Sequence, residues 1–331
     1  IIIHIIKNFL LFRIWRKNYK GNLFTEKILQ IIYCEYVENK ITSEYLDIKI
    51  FVSRDDYDSS HITRTYTQNL KGNLNIGIQH SAFCYPYVLP LQAYNYFDIY
   101  FTQGNGFEEL WYPFWNLNKK NIAVGTQRAH LINRSKIENY KVKKFNNKYK
   151  NKINLLIMIS AISSFRSPKW IYEMRYKRLD EILDLNKKIN IILRPRYKND
   201  AIDFLNINKK LKKYYNSRIF IEYDEYTTQE LISLVDIYVA DDNSSTVLEA
   251  IHKEDLLTIS YRVRYPIQDK LNKLVINSFN DLKLIISSFL KNQKLDQKYI
   301  LDRNIIKEKY SLDSTISNWQ RISNYCANIS N

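Results

Sequence analysis

Short apolar runs alternate with helical stretches along most of the chain, and this alternation constrains the fold more than any other feature. In the first half, strands are predicted for "DIKIFVS" (47–53), "NLNIGIQH" (73–80), "YFDIYFTQG" (96–104) and "NIAVGT" (121–126), with a helix over 59–70. Strands separated by helices at this spacing are typical of βαβ units and a parallel sheet. This half is therefore predicted to be an α/β domain.

The same alternation restarts after a basic, polar segment. Strands are predicted over 153–160, 189–196, 218–224, 236–242 and 255–261, and helices over 169–185, 227–235, 245–253 and much of 280–330. We predict an N-terminal domain over 1–135, a basic linker over 136–152, a C-terminal domain over 153–310 and a closing helix over 311–331. The predicted fold class is α/β, with two Rossmann-like doubly wound domains that face each other across a cleft.

The charge balance narrows the possible partners. Lys and Arg number 50 against 34 acidic residues, a formal net charge of +16. Such a surface favours nucleic acid, an anionic membrane or phosphorylated substrates.

Cys34, Cys84 and Cys326 are far apart without CxxC spacing, which fits a reducing compartment. We expect a cytoplasmic location, with a peripheral position at the inner face of the cell membrane. The chain begins with Ile1 rather than Met, so we expect its start to be truncated or processed.

The stretch "VADDNSSTVLEAI" (239–251) places three hydroxyl residues between a predicted strand and a predicted helix. Backbone N–H groups at a helix start lack intrahelical partners, and phosphate oxygens satisfy them. An ordinary serine N-cap would explain only one hydroxyl. We predict that Ser244, Ser245 and Thr246 bind donor phosphates. Glu249 lies one helical turn after Ser245 and is expected to contact a ribose, with a surface acid as the alternative.

Two arginines lie at the end of the predicted strand in "ILRPRYK" (192–198). Strand residues two apart point the same way, so Arg194 and Arg196 are expected to bind a diphosphate with two forked guanidinium groups. The alternative is that either arginine simply faces solvent.

Candidate acid–base groups follow two predicted strands in the first half. Asp55 and Asp56 come after one strand, and His80 ends the next. Each is a candidate general base toward an acceptor hydroxyl, while a hydrogen-bonded structural histidine is the ordinary alternative for His80. No metal site is predicted, because adjacent aspartates on a strand face opposite sides and no third ligand is evident.

Taken in order, "GIQH", "FDIYFTQG", "VGTQR", "LRPR" and "DDNSSTVLEAI" resemble bacterial GT-B glycosyltransferases of surface-polysaccharide and capsule biosynthesis. The resemblance covers most of 47–262. CDP-glycerol glycerophosphotransferases and bacterial sialyltransferases share such an HP element and have a hydroxyl pair at the later helix. This chain departs from the common QHG and RPHP patterns at Ser81 and Arg196.

The resemblance implies that Ser244 and Ser245 hold the phosphate of a nucleotide-activated donor. It also implies a metal-independent transferase without a cofactor, because basic side chains and helix dipoles neutralise the departing diphosphate. The expected acceptor is a cell-surface polysaccharide or a lipid-linked glycan. An anionic membrane surface is a further expected partner.

Four alternatives stay open at the level of the sequence. They are a CDP-alditol phosphotransferase, a nucleotide-sugar epimerase, a nucleic-acid-binding protein and an inactive paralogue. The spread of basic residues and the lack of RRM, KH or helix-turn-helix signatures argue against nucleic acid.

Overall fold

Twelve α-helices, ten strands and three short 3₁₀ helices make up the part of the chain that the computed structural model describes. The described residues are 23–46, 48–54, 60–80, 95–111, 117–149, 152–159, 169–241, 244–261, 274–312 and 315–330. Among these helices, none combines the length and the apolar character needed to cross a bilayer.

The chain divides into two compact units between Ala123 and Val124. The sequence places the end of the first domain at residue 135 and a linker after it, so the observed division comes earlier. The two units are described separately.

Unit 1 contains a four-stranded parallel sheet in the order β1-β2-β3-β4. Its strands are β1 (Ile50–Ser53), β2 (Leu74–Ile78), β3 (Ile99–Thr102) and β4 (Lys120–Ala123). Its helices are α1 (Leu23–Tyr45), α2 (Ser60–Asn69) and α3 (Asn105–Trp111). The strands predicted over 47–53, 73–80, 96–104 and 121–126 are confirmed. Helix α1 was not predicted.

The core of unit 1 depends on a close approach between an aromatic ring and a strand. Phe97 is fully buried, and a Cβ atom on Gly77 in β2 would lie 2.6 Å from its ring. The ring of His61 in α2 stacks on Phe97 with 5.0 Å between centroids. Glycine at position 77 therefore lets β2, Phe97 and α2 pack together.

Unit 2 contains a six-stranded parallel sheet in the order β10-β9-β8-β5-β6-β7. Its strands are β5 (Ile153–Ile159), β6 (Ile189–Pro195), β7 (Ile219–Ile221), β8 (Ile237–Asp241), β9 (Leu257–Tyr261) and β10 (Val275–Ile276). Numbered from β5, this order is 6-5-4-1-2-3, the strand order of a Rossmann fold. All five strands predicted in this half are confirmed, and β10 is additional.

Nine helices belong to unit 2. They are α4 (Asn139–Lys148), α5 (Lys169–Tyr176), α6 (Asp180–Leu185), α7 (Lys198–Ile207), α8 (Thr228–Leu234), α9 (Ser245–Ala250), α10 (Phe279–Asn292), α11 (Gln297–Tyr310) and α12 (Asn318–Ser330) among the described residues. The single helix predicted over 169–185 is two helices, α5 and α6. Helix α8 begins with a threonine cap, since the Thr227 side chain accepts a hydrogen bond from the Glu230 N–H.

Both faces of the unit 2 sheet are covered by helices. Leu155 and Ile157 alternate with Leu156 along β5, and the two sets belong to different buried clusters. The first cluster includes side chains of α5, α6, α7 and α10, and the second includes side chains of α4, α8 and α9. This double covering explains why the strands are continuous apolar runs rather than alternating ones.

The prediction of a solvated linker over 136–152 is wrong for its central part. Helix α4 occupies this region, and Phe145 and Tyr149 are buried against the second cluster of unit 2. Val142, Phe145 and Tyr149 are spaced three and four residues apart, so they line one side of the helix. The lysines and asparagines between them cover the exposed side and mask this period in the sequence.

Candidate functional site

The carboxyl ends of β6 and β8 lie on either side of β5, at one edge of the unit 2 sheet. Met158 of β5 is in register with Arg194, and Ile157 is in register with Val239. Neighbouring strands are about 4.8 Å apart, so the Arg194 backbone and the end of β8 are separated by roughly 10 Å. The two predicted phosphate-binding segments therefore leave the sheet at the same edge, which we call the carboxyl edge.

Arg194 and helix α9 also share one face of the sheet. Ile192, two residues before Arg194, belongs to the same buried cluster as Val247 and Ala250 of α9. Because residues two apart point to the same face, Arg194 projects from the face on which α9 packs. Position and direction are thus compatible with a single site.

The Arg194 guanidinium is already bound to backbone. Its Nη1 donates hydrogen bonds to the carbonyl oxygens of Glu222, at 3.1 Å, and of Tyr223. Burial lowers the pKa of Arg194, and the nearby charge of Asp224 opposes this shift. The group stays cationic, because an arginine is not deprotonated in proteins. It is a fixed positive charge beside the end of β7.

Arg196 has a different environment. It is exposed, and its guanidinium carbon lies 5.5 Å from the centroid of the Tyr197 ring. The two arginines therefore have no partner in common among the described residues. The predicted joint binding of one diphosphate stays a prediction, with Arg194 held by backbone and Arg196 at the surface.

The three hydroxyls at the start of α9 are half-buried and do not cap the helix. Ser244 is the N-cap residue, but its side chain accepts no cap hydrogen bond. Its Oγ lies 2.6 Å from Oγ1 of Thr246, which in turn lies 2.5 Å from Oη of Tyr238. The ordinary-cap interpretation therefore does not describe Ser244. The hydroxyls of Ser244 and Thr246 instead form a short hydrogen-bonded chain that ends at Tyr238 of β8.

Glu249 lies in the interior on the same helix. It is 4 % exposed, and its Oε2 accepts a hydrogen bond of 2.8 Å from Nε2 of Gln229 in α8. Burial raises the pKa of Glu249, while the Gln229 hydrogen bond and the positive charge of Arg128 act in the opposite direction. It is not a surface acid. Contact with a ribose stays a prediction.

The candidate acid–base groups belong to unit 1. Asp55 and Asp56 lie outside the described residues. His80 is exposed just after β2, and its carbonyl oxygen accepts a hydrogen bond of 3.3 Å from Nη2 of Arg54. The preceding Gln79 is buried, and its side-chain oxygen accepts a hydrogen bond of 2.8 Å from the Gln103 N–H. His80 is thus placed at the predicted strand end.

A buried carboxylate at the carboxyl edge was not predicted. Glu222 follows β7 and is 2 % exposed. Its Oε1 accepts hydrogen bonds from Nζ of Lys148 and Oη of Tyr149, both at the end of α4. Burial and the neighbouring carboxylate raise the pKa of Tyr149. Because Arg194 binds the Glu222 carbonyl, this group links α4 to the predicted phosphate site.

A second buried polar cluster anchors the far end of α9. The Ser311 hydroxyl donates to the carbonyl of Leu248 at 3.1 Å, and it also contacts Nε2 of His252 at 2.6 Å and Oγ1 of Thr126. A serine hydroxyl has one proton and two lone pairs, so Ser311 can take part in all three contacts as one donor and two acceptors. Nothing in the sequence alone links these three distant positions.

Glycine is required beside this cluster. Gly125 has φ of +91°, and a Cβ there would lie 2.6 Å from Nη1 of Arg321 in α12. That nitrogen donates a hydrogen bond of 3.0 Å to the Val124 carbonyl. The start of unit 2 is therefore pinned to its last helix. Within the described residues, no three His, Cys, Asp or Glu side chains are grouped as metal ligands would be.

Comparison with known proteins identifies the fold. No protein-family model matches the chain, and no curated protein matches its sequence. Solved structures do match. One is a protein of Listeria monocytogenes assigned as a UDP-N-acetylglucosamine 2-epimerase, with a TM-score of 0.61 at 8 % identity. The match covers 91 % of this chain and 80 % of the Listeria chain. The chain has a GT-B fold.

Two further GT-B structures are similar to this chain over most of its length. A glycosyltransferase of Rickettsia africae has a TM-score of 0.57 at 10 % identity, with 95 % of this chain and 84 % of its own covered. The Anabaena protein HepE in complex with UDP and glucose has a TM-score of 0.55 at 10 % identity, with 88 % and 80 % covered. At this identity the similarity establishes the fold, and the predicted fold class of two Rossmann-like units is confirmed.

Proposed function

We propose that this protein is a glycosyltransferase that moves a sugar from a nucleotide-activated donor to a cell-surface polysaccharide or a lipid-linked glycan. The observation that carries the proposal is that α9 and Arg194 lie at the same carboxyl edge and on the same face of the unit 2 sheet. Ligands of open parallel α/β sheets bind at this edge. The similar GT-B structures that hold UDP or a UDP-sugar give independent support for a nucleotide donor.

In this proposal, the donor diphosphate lies at the start of α9. The backbone N–H groups of Ser245 and Thr246 and the hydroxyls nearby donate hydrogen bonds to phosphate oxygens, and Arg194 adds a fixed positive charge. When the bond between the anomeric carbon and the diphosphate oxygen breaks, negative charge develops on the leaving group. Donors that are already in place stabilise that charge without reorganising, so no metal ion is required.

The acceptor hydroxyl must lose its proton as the new glycosidic bond forms. Asp55, Asp56 and His80 are the proposed general bases or orienting groups, since each follows a strand of unit 1 at its carboxyl end. Substituting His80 with Gln separates these roles from donor binding. Loss of transfer with unchanged nucleotide affinity is expected if His80 acts on the acceptor.

A thermal-shift screen with UDP, CDP, GDP and CMP tests the donor site. One nucleotide should raise the unfolding temperature of the wild type, and Ser245→Ala should abolish that rise. Losing a hydrogen bond to a charged phosphate costs about 1.5–3 kcal/mol, or roughly 10- to 150-fold in affinity. Ser288→Ala is the matched control, because Ser288 is an exposed helical serine in α10. A shift that persists in Ser245→Ala would place the phosphate elsewhere.

A nucleotide-sugar epimerase is the second candidate, favoured by the TM-score of 0.61 against the Listeria protein. Incubating the enzyme with a UDP-sugar in the absence of any acceptor distinguishes the two. An epimerase interconverts the sugar, whereas a transferase leaves it unchanged until an acceptor is added. A CDP-alditol phosphotransferase would respond to CDP or CMP in the thermal-shift screen, and it would release CMP when incubated with a CDP-alditol and an acceptor.

A further inference from the structure

Seven lysines precede three neighbouring strands of unit 2. Lys152 precedes β5, Lys187 and Lys188 precede β6, and four more lie in the 3₁₀ helix Lys209–Tyr214 before β7. Strands β5, β6 and β7 are adjacent and parallel, so their amino ends meet at one edge of the sheet. The lysine edge is defined by these residues: Lys152, Lys187, Lys188, Lys209, Lys210, Lys212 and Lys213.

The backbone that carries the lysine edge is held together by hydrogen bonds. The Ile153 N–H donates to the Lys188 carbonyl at 2.8 Å, and Nζ of Lys152 lies 3.1 Å from the Lys187 carbonyl. Arg218 turns inward, with Nη2 donating to the carbonyls of Leu183 at 2.6 Å and Asn186 at 2.7 Å. The three connections therefore form one continuous surface with a defined backbone.

Positive charge on this surface is largely uncompensated. All seven lysines are exposed. The acids of the neighbouring helix α6 include Asp180, which lies 3.6 Å from Lys210, and the exposed Asp184. The other half of the same sheet edge is different: Glu254 and Asp255 precede β9, and Asp255 is 82 % exposed. The charge is therefore concentrated in front of β5, β6 and β7.

We infer that the lysine edge docks on the surface of an anionic lipid bilayer. Lysine is a compact, hydrated point charge, which suits a fluid layer of headgroups, whereas arginine provides the forked contacts typical of nucleic-acid recognition. The arginine in this region, Arg218, is committed to backbone carbonyls. The ring of Tyr215, which is exposed two residues after Lys213, is of the kind enriched at membrane interfaces.

This docking orients unit 2. The carboxyl edge lies at the other end of the same strands, and the seven residues of β6 span roughly 23 Å. A molecule held by its lysine edge keeps the carboxyl edge turned toward water, where a nucleotide donor would reach it. Docking itself requires neither donor nor acceptor, so it can be tested before any substrate is known.

Vesicle co-sedimentation of the full chain tests the docking surface. Wild-type protein should bind phosphatidylcholine vesicles that contain about one-third phosphatidylglycerol and should not bind pure phosphatidylcholine. The test variant replaces Lys209, Lys210, Lys212 and Lys213 with Gln. Each basic residue near an anionic surface strengthens binding by a factor of about five, so removing four should lower partitioning by at least roughly tenfold.

The matched control removes the same charge from exposed positions of unit 2 outside the amino edge of the sheet: Lys136, Lys143, Lys144 and Lys177, each replaced with Gln. Because salt screens charges that are distant from the bilayer, this control variant should bind anionic vesicles within about threefold of wild type. Equal loss in both variants would overturn the docking surface, as would equal binding to both vesicle types.

A third measurement separates lipid from nucleic acid. Binding of poly(U) that is lost in the four-lysine variant, while vesicle binding is retained, would assign the edge to RNA and overturn the inference. Both variants should keep the wild-type unfolding temperature. They should also keep any nucleotide-induced shift, so failure of docking and failure of the donor site are distinguishable.

Discussion

The buried Glu222 group should dominate the stability of the carboxyl edge of unit 2. Tyr149→Phe removes one hydrogen bond to the buried carboxylate and changes nothing else in shape. A hydrogen bond to a charged group contributes about 1.5–3 kcal/mol. Lys148 still donates to the same oxygen, so we expect the lower value, about 1.5 kcal/mol.

The other two members of the group should bracket this value. Lys148 is 35 % exposed, so water compensates its loss, and Lys148→Gln should cost less than about 1 kcal/mol. Glu222→Leu removes the acceptor and leaves the Tyr149 hydroxyl buried without a partner, which should cost about 3 kcal/mol. The expected order of destabilisation is Glu222→Leu, then Tyr149→Phe, then Lys148→Gln.

Equilibrium urea unfolding of the full chain, followed by circular dichroism, measures these differences. The midpoints should shift at constant m-value, which shows that the change is in stability rather than compactness. In a thermal scan, Tyr149→Phe should lower the midpoint by about 3–6 °C, since each kcal/mol corresponds to about 2–4 °C at this size. A Tyr149→Phe variant within about 0.3 kcal/mol of wild type, or one less destabilised than Lys148→Gln, would refute the reasoning.

Three further predictions concern backbone strain and pH. Gly125→Ala should destabilise unit 2 by more than 1 kcal/mol in urea unfolding, because φ is +91° and the added methyl would meet Arg321 at 2.6 Å. Gly72→Ala is the control: its φ is +73° and no atom lies near the added methyl, so it measures the cost of backbone strain without a clash. The hydrogen bond from Arg178 lowers the pKa of Glu181 to about 2. The Glu181 carboxylate therefore stabilises the folded state at pH values above its unfolded pKa, and this contribution is lost as the pH falls toward 2. An NMR titration that gives an ordinary pKa for Glu181 would contradict this. Burial raises the pKa of Glu249. The contribution of the Glu249 side chain to the free energy of unfolding therefore declines as the pH rises above about 4.3, the pKa of an unfolded glutamate. Glu249→Gln should remove this decline from the curve of stability against pH.

The sequence was sufficient to predict the strands and their edge. Each strand of unit 2 that is covered on both faces appears as an apolar run, as in "INLLIMIS" and "INIILRPR", and the residues that follow it must lie at one edge. Arg194 and Ser244 were placed at this edge without coordinates. The two-residue strand β10 carries too little pattern to be predicted.

Side-chain partners were beyond reach of the sequence. The contacts of Arg194 depend on carbonyl groups that follow β7, twenty-eight and twenty-nine residues later in the chain. Glu222 meets Lys148 and Tyr149 only because α4 packs beside β7, and the dense lysines of α4 led to its interpretation as a linker. Long-range packing, rather than local pattern, decides which polar groups are buried together.

Isothermal titration with the nucleoside diphosphate found in the thermal screen tests the central claim most directly. Arg194→Gln and Ser245→Ala should each weaken binding at least tenfold, because both groups are proposed to contact the same diphosphate. Arg218→Gln is the matched control, since Arg218 is also half-buried and also donates to backbone carbonyls, but at the opposite edge of the sheet. It should bind like wild type. Wild-type affinity in Arg194→Gln and Ser245→Ala, or equal losses in all three variants, would contradict the account.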